Sequence, residues 1–250
     1  MIDAMAHLED PRVVDPAALL ERASAAGVTD VVNASFSPER PLTGRVRSAS
    51  GGVRVHRAAG LHPLAIETPR LDEQLARVAE QCTGAVALGE IGLDARPQAV
   101  SMEIQRHAFE RQLALSRIQE LPIVVHCVQA WGPLLESLQR FWPLRGIVHG
   151  YSGSVELLSQ FERLGLVPSF GGAVTRERFR RVRAAAARCG RFCIESDTPD
   201  HPPEGVSESE PAVLPRLVAA IAEIRGESPD SVRATTVRCA QETFTLPSVQ

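Results

Sequence analysis

Acidic and histidine side chains recur at the ends of short apolar runs along nearly the whole 250-residue chain: Asp3 and His7 in IDAMAHL, His62 in AAGLHP, Glu90 in VALGEIGLD, His126 in LPIVVHC, His149 in GIVHGYSG and Asp197 in FCIESDTPD. Imidazole nitrogens and carboxylate oxygens are the donors that divalent ions such as zinc, manganese, magnesium or nickel take. A carboxylate beside such an ion can also work as a general base on water. The chemistry these residue types allow is therefore hydrolysis at one or two bound divalent metals.

Glu90 carries the most weight. It lies between Val86-Ala87-Leu88-Gly89 and Ile91-Gly92-Leu93-Asp94, and burying a lone carboxylate costs several kcal/mol unless it is paired or binds a cation. Arg96 is close enough in sequence to be the competing partner. His126 and His149 each end an apolar run, and with Glu90 they give an O/N/N set suited to a divalent ion. On the first strand Asp3, Met5 and His7 share a face, because side chains alternate with period two; His7 is expected at the rim and Met5 one layer below it. Asp197 is a candidate for a second metal site or for the general base, with a plain capping role before Pro199 as the bland alternative.

His62, followed by Pro63, is better placed to touch substrate than to bind metal. The run from Thr175 to Arg183 holds the chain's basic cluster. A solvated helix face explains most such runs, yet its start should reach the rim, where Arg176 or Arg178 could hold a phosphate. His56, His107 and Cys127 receive no role, and His201 is a weaker candidate for the mouth of the site.

These residues are far apart in sequence, so the elements must gather them. Apolar runs that end in a polar group read as buried parallel strands with a functional tip. Strands are expected over 1–6, 28–33, 53–59, 84–88, 121–126, 146–149, 166–169 and 191–194. Amphipathic helices are expected over 16–26, 71–81, 100–119, 130–141, 154–164 and 176–188. The stretch 38–50 is the weakest helix, and 210–244 reads as two further helices broken at 226–229. Eight strands alternating with helices, without a Gly-rich dinucleotide fingerprint, favour an α/β fold of the (β/α)8 TIM-barrel type with additional C-terminal helices. Residues 1–250 read as one domain, and in such a barrel all the strand tips share one rim.

Composition narrows the function. The chain is 44% hydrophobic and 23% charged, as an ordinary globular protein is. No apolar stretch is long enough for a bilayer, and the N-terminus lacks the pattern of a signal peptide, so the cytoplasm is the expected location and no membrane partner is expected. A net charge of −3 gives no overall bias toward nucleic acid, so a nucleic-acid substrate would need local attraction from metal or a basic patch. Five dispersed cysteines without CxxC spacing suggest reduced, buried thiols. The sequence contains no lysine, which removes Schiff-base chemistry, the phosphate-loop lysine and any carbamylated lysine bridge. A bridging ligand must then be a carboxylate, and Glu90 is the natural one. Oligomeric state leaves no visible signature.

The motifs GLHP, LGEIGLD, PIVVHC, VHGYSGS, GLVPSFGGAVT and IESDTPD, with the tail SEPAVLPRLVAAIAEIRGES, resemble the TatD-like family of metal-dependent hydrolases, barrel members of the amidohydrolase group. The likeness covers essentially the whole chain. It implies a two-metal hydrolase acting on DNA phosphodiesters: His7, Glu90 and Asp197 would hold one ion, and Glu90, His126 and His149 the other. Glu90 would bridge, and Asp197 would also orient or deprotonate the attacking water. Four positions depart from the pattern. Met5 replaces the first histidine of the N-terminal HxH element, and a thioether is a poor ligand for such ions. Val128 replaces an arginine, Ser209 an asparagine, and Cys239 an asparagine of the last helix. The resemblance thus implies a hydrolase of a phosphodiester or a comparable small ester or amide, with the His7/Asp197 site weakened. A catalytically silent barrel kept for binding, or a small-molecule lactonase or deacylase, are the alternatives.

Overall fold

The computed structural model describes residues 1–40 and 52–247. Its eight strands are β1 (Ile2–Ala6), β2 (Asp30–Asn33), β3 (Arg54–Ala59), β4 (Ala87–Asp94), β5 (Ile123–Val128), β6 (Gly146–Val148), β7 (Leu166–Phe170) and β8 (Cys193–Ile194). Every neighbouring pair in the order β1 to β8 is parallel. The seam between the last strand and the first is closed just beyond β8, where the Asp197 N–H donates to Met5 O at 3.1 Å and the His7 N–H donates to Thr198 O at 2.9 Å. This is the (β/α)8 TIM barrel that the alternation of patterns implies.

The α-helices among the described residues are α1 (Pro16–Ala25), α2 (Leu71–Gln81), α3 (Met102–Ile118), α4 (Trp131–Arg140), α5 (Val155–Arg163), α6 (Arg180–Arg188), α7 (Leu214–Arg225) and α8 (Pro229–Phe244). Local chemistry sets several boundaries. Asp15 accepts from the Ala17 and Ala18 N–H groups at the start of α1, with Pro16 in the first helical turn. Ser228 caps α8 in the same way before Pro229. Gly226, left-handed at φ 64°, ends α7. The weak helix expected over 38–50 falls largely outside the described residues.

Two boundaries differ instructively from the sequence reading. β4 runs on to Asp94 instead of stopping near 88. Glu90 reads as a polar tip, yet it and Asp94 are both buried within the strand, at 2% and 0% exposure. Helix α6 begins at Arg180, not 176, because Gly172–Thr175 forms a 3₁₀ turn first.

The core has two parts. Residues such as Leu20, Phe109, Leu134, Phe161 and Ile221 fill the layer that includes the helices. A smaller cluster, with Ala4, Met5, Val32, Val124, Ile147 and Val167, is joined by Cys239, Ala240 and Phe244 of α8. That helix packs on β1, β6 and β8, while Arg145 and Arg191, which precede β6 and β8, bond to Thr245 and Glu242. α8 therefore plugs the N-terminal end of the barrel and leaves the opposite rim open. No helix among the described residues is long and apolar enough to cross a membrane.

Candidate metal centre

The open rim carries a cavity of about 380 Å³ whose wall includes His7, His62, Glu90, His126, His149 and Asp197. Glu90 and His126 lie within β4 and β5, and the other four stand just beyond the C-terminal ends of β1, β3, β6 and β8. Of the residues named from sequence, Asp3, Arg176 and Arg178 are not on this wall: Asp3 accepts from the Ser196 N–H at 2.9 Å and the Arg178 guanidinium lies over Phe179. Arg176 is the third. That side chain turns away and donates from Nη2 to Pro202 O at 2.8 Å. His201 is on the wall but largely exposed, with Nε2 3.9 Å from Asp197 Oδ2.

Glu90 is the hub. Its Oε1 lies 2.7 Å from His126 Nδ1, 2.7 Å from His149 Nε2 and 3.4 Å from His62 Nε2, and its Oε2 lies 3.0 Å from His7 Nε2. Arginine does not compete: Arg96 instead clasps Asp94, with Nε at 2.9 Å and Nη2 at 2.5 Å. Close packing makes room for the carboxylate. Gly92 has φ +152°, and a Cβ there would fall 2.0 Å from His126 O.

The far nitrogen of each ring decides what the near nitrogen can do. His7 Nδ1 faces Ala34 O at 3.0 Å. A carbonyl only accepts, so Nδ1 carries a proton, and Nε2 is the nitrogen that can take an ion once its own proton leaves. His126 Nε2 faces Asp94 Oδ2 at 3.1 Å, which likewise leaves Nδ1 to take an ion. Glu195 stands behind His149, its Oε1 3.4 Å from Nδ1, and His149 Nε2 meets His126 Nδ1 at 3.1 Å. These are the outer partners that ligating histidines characteristically have.

His62 is the reverse case. Its Nδ1 accepts from the Leu64 N–H at 3.1 Å, so its proton sits on Nε2 and points at the site. By distance alone His62, Glu90 and His126 form a ligand-like trio. The tautomer removes His62 from the ligand set and makes it a hydrogen-bond donor.

Imidazole nitrogens crowded on a buried carboxylate need positive charge among them, as protons or as a metal ion. Ligand atoms of a tetrahedral ion with bonds of ~2.0–2.1 Å sit roughly 3.3 Å apart, close to the mutual spacings of Glu90 Oε1, His126 Nδ1 and His149 Nε2, 2.7, 2.7 and 3.1 Å. These three side chains fit a divalent cation, with His7 on the other carboxylate oxygen. The titration shifts express the same demand. Burial pulls His7 down, but the hydrogen bond and charge of Glu90 override it and lift His7 to about 9. Burial likewise opposes charge on His126 and His149, and the surrounding carboxylates raise both. Burial would raise Glu90, yet the imidazoles hold it well below the ordinary range. For His62 burial wins, and the ring falls to about 4, neutral at physiological pH.

Asp197 is buried at the wall with φ 54°, an uncommon backbone for a residue with a Cβ and of the kind that clusters at functional sites. Burial lifts its carboxyl to about 6, with His149 pulling the other way. Met5 is fully buried in the apolar interior and is absent from the cavity wall. Sequence reading missed Asp94 and Glu195 as orienting partners, along with the cavity-lining Phe36, Arg12 and Arg40. The carboxylate after GEIGL and the Glu195-Ser196-Asp197 run were visible signals for the first two; nothing local marked the others.

Comparison with known proteins agrees with this geometry. The description "TatD related DNase" matches residues 2–245. YjjV of Escherichia coli (strain K12), named an uncharacterized metal-dependent hydrolase, is 30% identical over 256 residues, 98% of each chain. A crystal structure of YjjV superposes with a TM-score of 0.88 at 29% identity, covering 99% of this chain and 98% of that one. A protein of Pantoea vagans (strain C9-1) named 3'-5' ssDNA/RNA exonuclease TatD is 29% identical over 242 residues, 91% of this chain and 92% of its own. Sequence and fold agree along nearly the whole length, and the chain belongs to the family of TatD related DNases, metal-dependent hydrolases built on this barrel.

Proposed function

We propose that this protein is a metal-dependent phosphodiester hydrolase whose principal ion is held by Glu90, His126 and His149, with His7 on the other Glu90 oxygen. The observation that carries this reading is the convergence of ring nitrogens from His7, His126 and His149 on one buried carboxylate. A bound divalent cation supplies Lewis-acid polarisation and lowers the pKa of water toward neutrality. Asp197, on the same wall, takes the proton of the attacking water. His62 donates its Nε2–H to the oxygen on which negative charge develops. Asp94 and Glu195 keep the imidazoles of His126 and His149 oriented. The relatives named as nucleases support phosphodiesters as the substrate.

Zinc, manganese, magnesium and nickel are all compatible with this donor set. A second ion at His7 and Asp197 would lack the ligand that Met5 replaces, so one tight ion per chain is expected. The buried thioether also favours a second reading, a barrel with little turnover that is kept for binding. Hydrolysis of bis(p-nitrophenyl) phosphate and a single-stranded oligonucleotide, assayed with each metal, separates the two. Turnover lost in Glu90→Ala supports the hydrolase. Inactivity with every metal, in both the wild type and Met5→His, supports the binding role.

A further inference from the structure

Three arginines line the cavity: Arg12, Arg40 and Arg96. Two of them are already neutralised. Arg12 forks between Asp10 and Asp200, with contacts of 2.6–2.9 Å, and Arg96 clasps Asp94. Arg40 differs. Among the described residues no carboxylate pairs with it, and its guanidinium lies over the Phe36 ring, 5.5 Å from the centroid. Its neighbour Glu39 is engaged elsewhere, accepting from Ser37 Oγ at 2.6 Å and facing Arg70 Nη2 at 3.4 Å.

The segment that presents Arg40 is fixed at several points. The Arg40 N–H donates to Ser37 O at 2.9 Å, and Gln81 of α2 donates from Nε2 to Pro38 O at 2.8 Å. Phe36 in turn stacks on His62, with centroids 4.8 Å apart and planes 22° from parallel. Arg40, Phe36, His62 and Glu90 thus form an ordered row from the cavity wall to the metal-ligand cluster. The row has an uncompensated cation at its outer end and an N–H donor beside the cluster.

We propose that Arg40, supported on Phe36, anchors a phosphate group of the substrate beside the metal-ligand cluster, and so sets the preference for phosphate-bearing substrates over neutral esters. The proposal rests on the hydrolase reading and deepens it. A planar guanidinium with free donors matches phosphate oxygens bidentately. The Arg40 guanidinium and the His62 ring both lie against Phe36, so recognition at this point concerns the phosphate rather than base identity.

The test uses the protein as purified, with metal equivalents per chain measured in every variant. Inorganic phosphate is titrated calorimetrically into wild type, Arg40→Gln, Arg40→Lys and Arg140→Gln, the last an arginine outside this cavity. The expected result is a Kd about 10-fold or more higher in Arg40→Gln, a partial loss in Arg40→Lys, no change in Arg140→Gln, and unchanged metal content. For a phosphodiester, Arg40→Gln should raise KM with kcat within about two-fold, and leave KM for a neutral ester unmoved. Dinucleotides with and without a terminal phosphate show whether the anchored group is terminal or internal. If the wild type hydrolyses phosphodiesters and Arg40→Gln changes neither Kd nor KM, the anchor is refuted while the hydrolase reading stands. If phosphate binding depends on Arg40 but no phosphodiester is cleaved, the anchor stands and the hydrolase reading falls. No saturable phosphate binding to the wild type overturns the anchor outright.

Discussion

His62 accepts at Nδ1 and so faces Glu90 with an N–H, whereas the outer nitrogens of His7 and His126 hold protons against Ala34 and Asp94 and leave the inner nitrogens to take an ion; on the proposed reading this separates donor from ligand. His62→Ala should therefore lower turnover by about 100-fold or more, while the metal Kd stays within about two-fold. Loss of metal in that variant would show that His62 is a ligand after all. The ligand histidines also set a pH dependence. In the metal-free protein His7 titrates near 9 against 6.5 when unfolded. Its contribution to stability is full below about 6.5 and disappears as pH rises through about 9. Buried Asp3, raised to about 7 by desolvation against the opposing Ser196 hydrogen bonds, acts in the same direction at lower pH. The Tm of metal-free protein should fall between pH 6.5 and 9, while apparent metal affinity rises over the same window because protons stop competing. Thermal melts and metal titrations at four or five pH values would check both slopes.

β4 is the element on which the site depends most. It supplies Glu90 and Asp94 from one strand, and its pairing with β5 shifts register between Gly89 and Ile91. Close approach at Gly92 makes the pairing intolerant of a side chain, since an added Cβ would meet the His126 carbonyl in a backbone region rarely open to other residues. Gly92→Ala should destabilise by roughly 2 kcal/mol or more and lower metal occupancy together with stability; a variant with wild-type Tm and full metal content would refute this account. The β8–β1 seam is held more modestly. Ser209 Oγ donates to Ser196 O at 2.5 Å, and the Ser196 N–H donates to Asp3 Oδ1 at 2.9 Å. Serine thus fulfils a tethering role at a position where the family resemblance leads one to expect asparagine. Ser209→Ala should cost about 1 kcal/mol, visible in urea melts, without removing the ion.

Over the whole molecule, Glu90 and the imidazoles it gathers come from strands spread around the barrel, so ion binding and global stability should be coupled. Metal at 100 times its Kd should add about 2.7 kcal/mol to the folded state. Treatment with a chelator should therefore lower Tm in the wild type and have little effect in Glu90→Ala. The same convergence explains what could be read without coordinates. The alternation of apolar runs and amphipathic stretches reports burial on both faces of a parallel sheet, so the barrel and the candidates at its strand tips were legible. The end of β4 was not, because Glu90 and Asp94 are polar by type and interior only through partners on β5 and β6. Arg176 looked as good as any arginine for the rim, yet a 3₁₀ turn and the Pro202 carbonyl take it away.

Residue types and periodicity by themselves determined the barrel, the donor chemistry and the choice of Glu90 as hub, because these follow from local patterns of apolarity and from which side chains can bind a cation. Tertiary structure alone decided how the His7, His62 and His126 rings are oriented by their outer partners, that Met5 belongs to the core, and that Arg40, among the described residues, is the arginine of the cavity wall with no carboxylate partner. Those properties depend on partners up to tens of residues away along the chain, and no local pattern in a sequence encodes a contact of that kind.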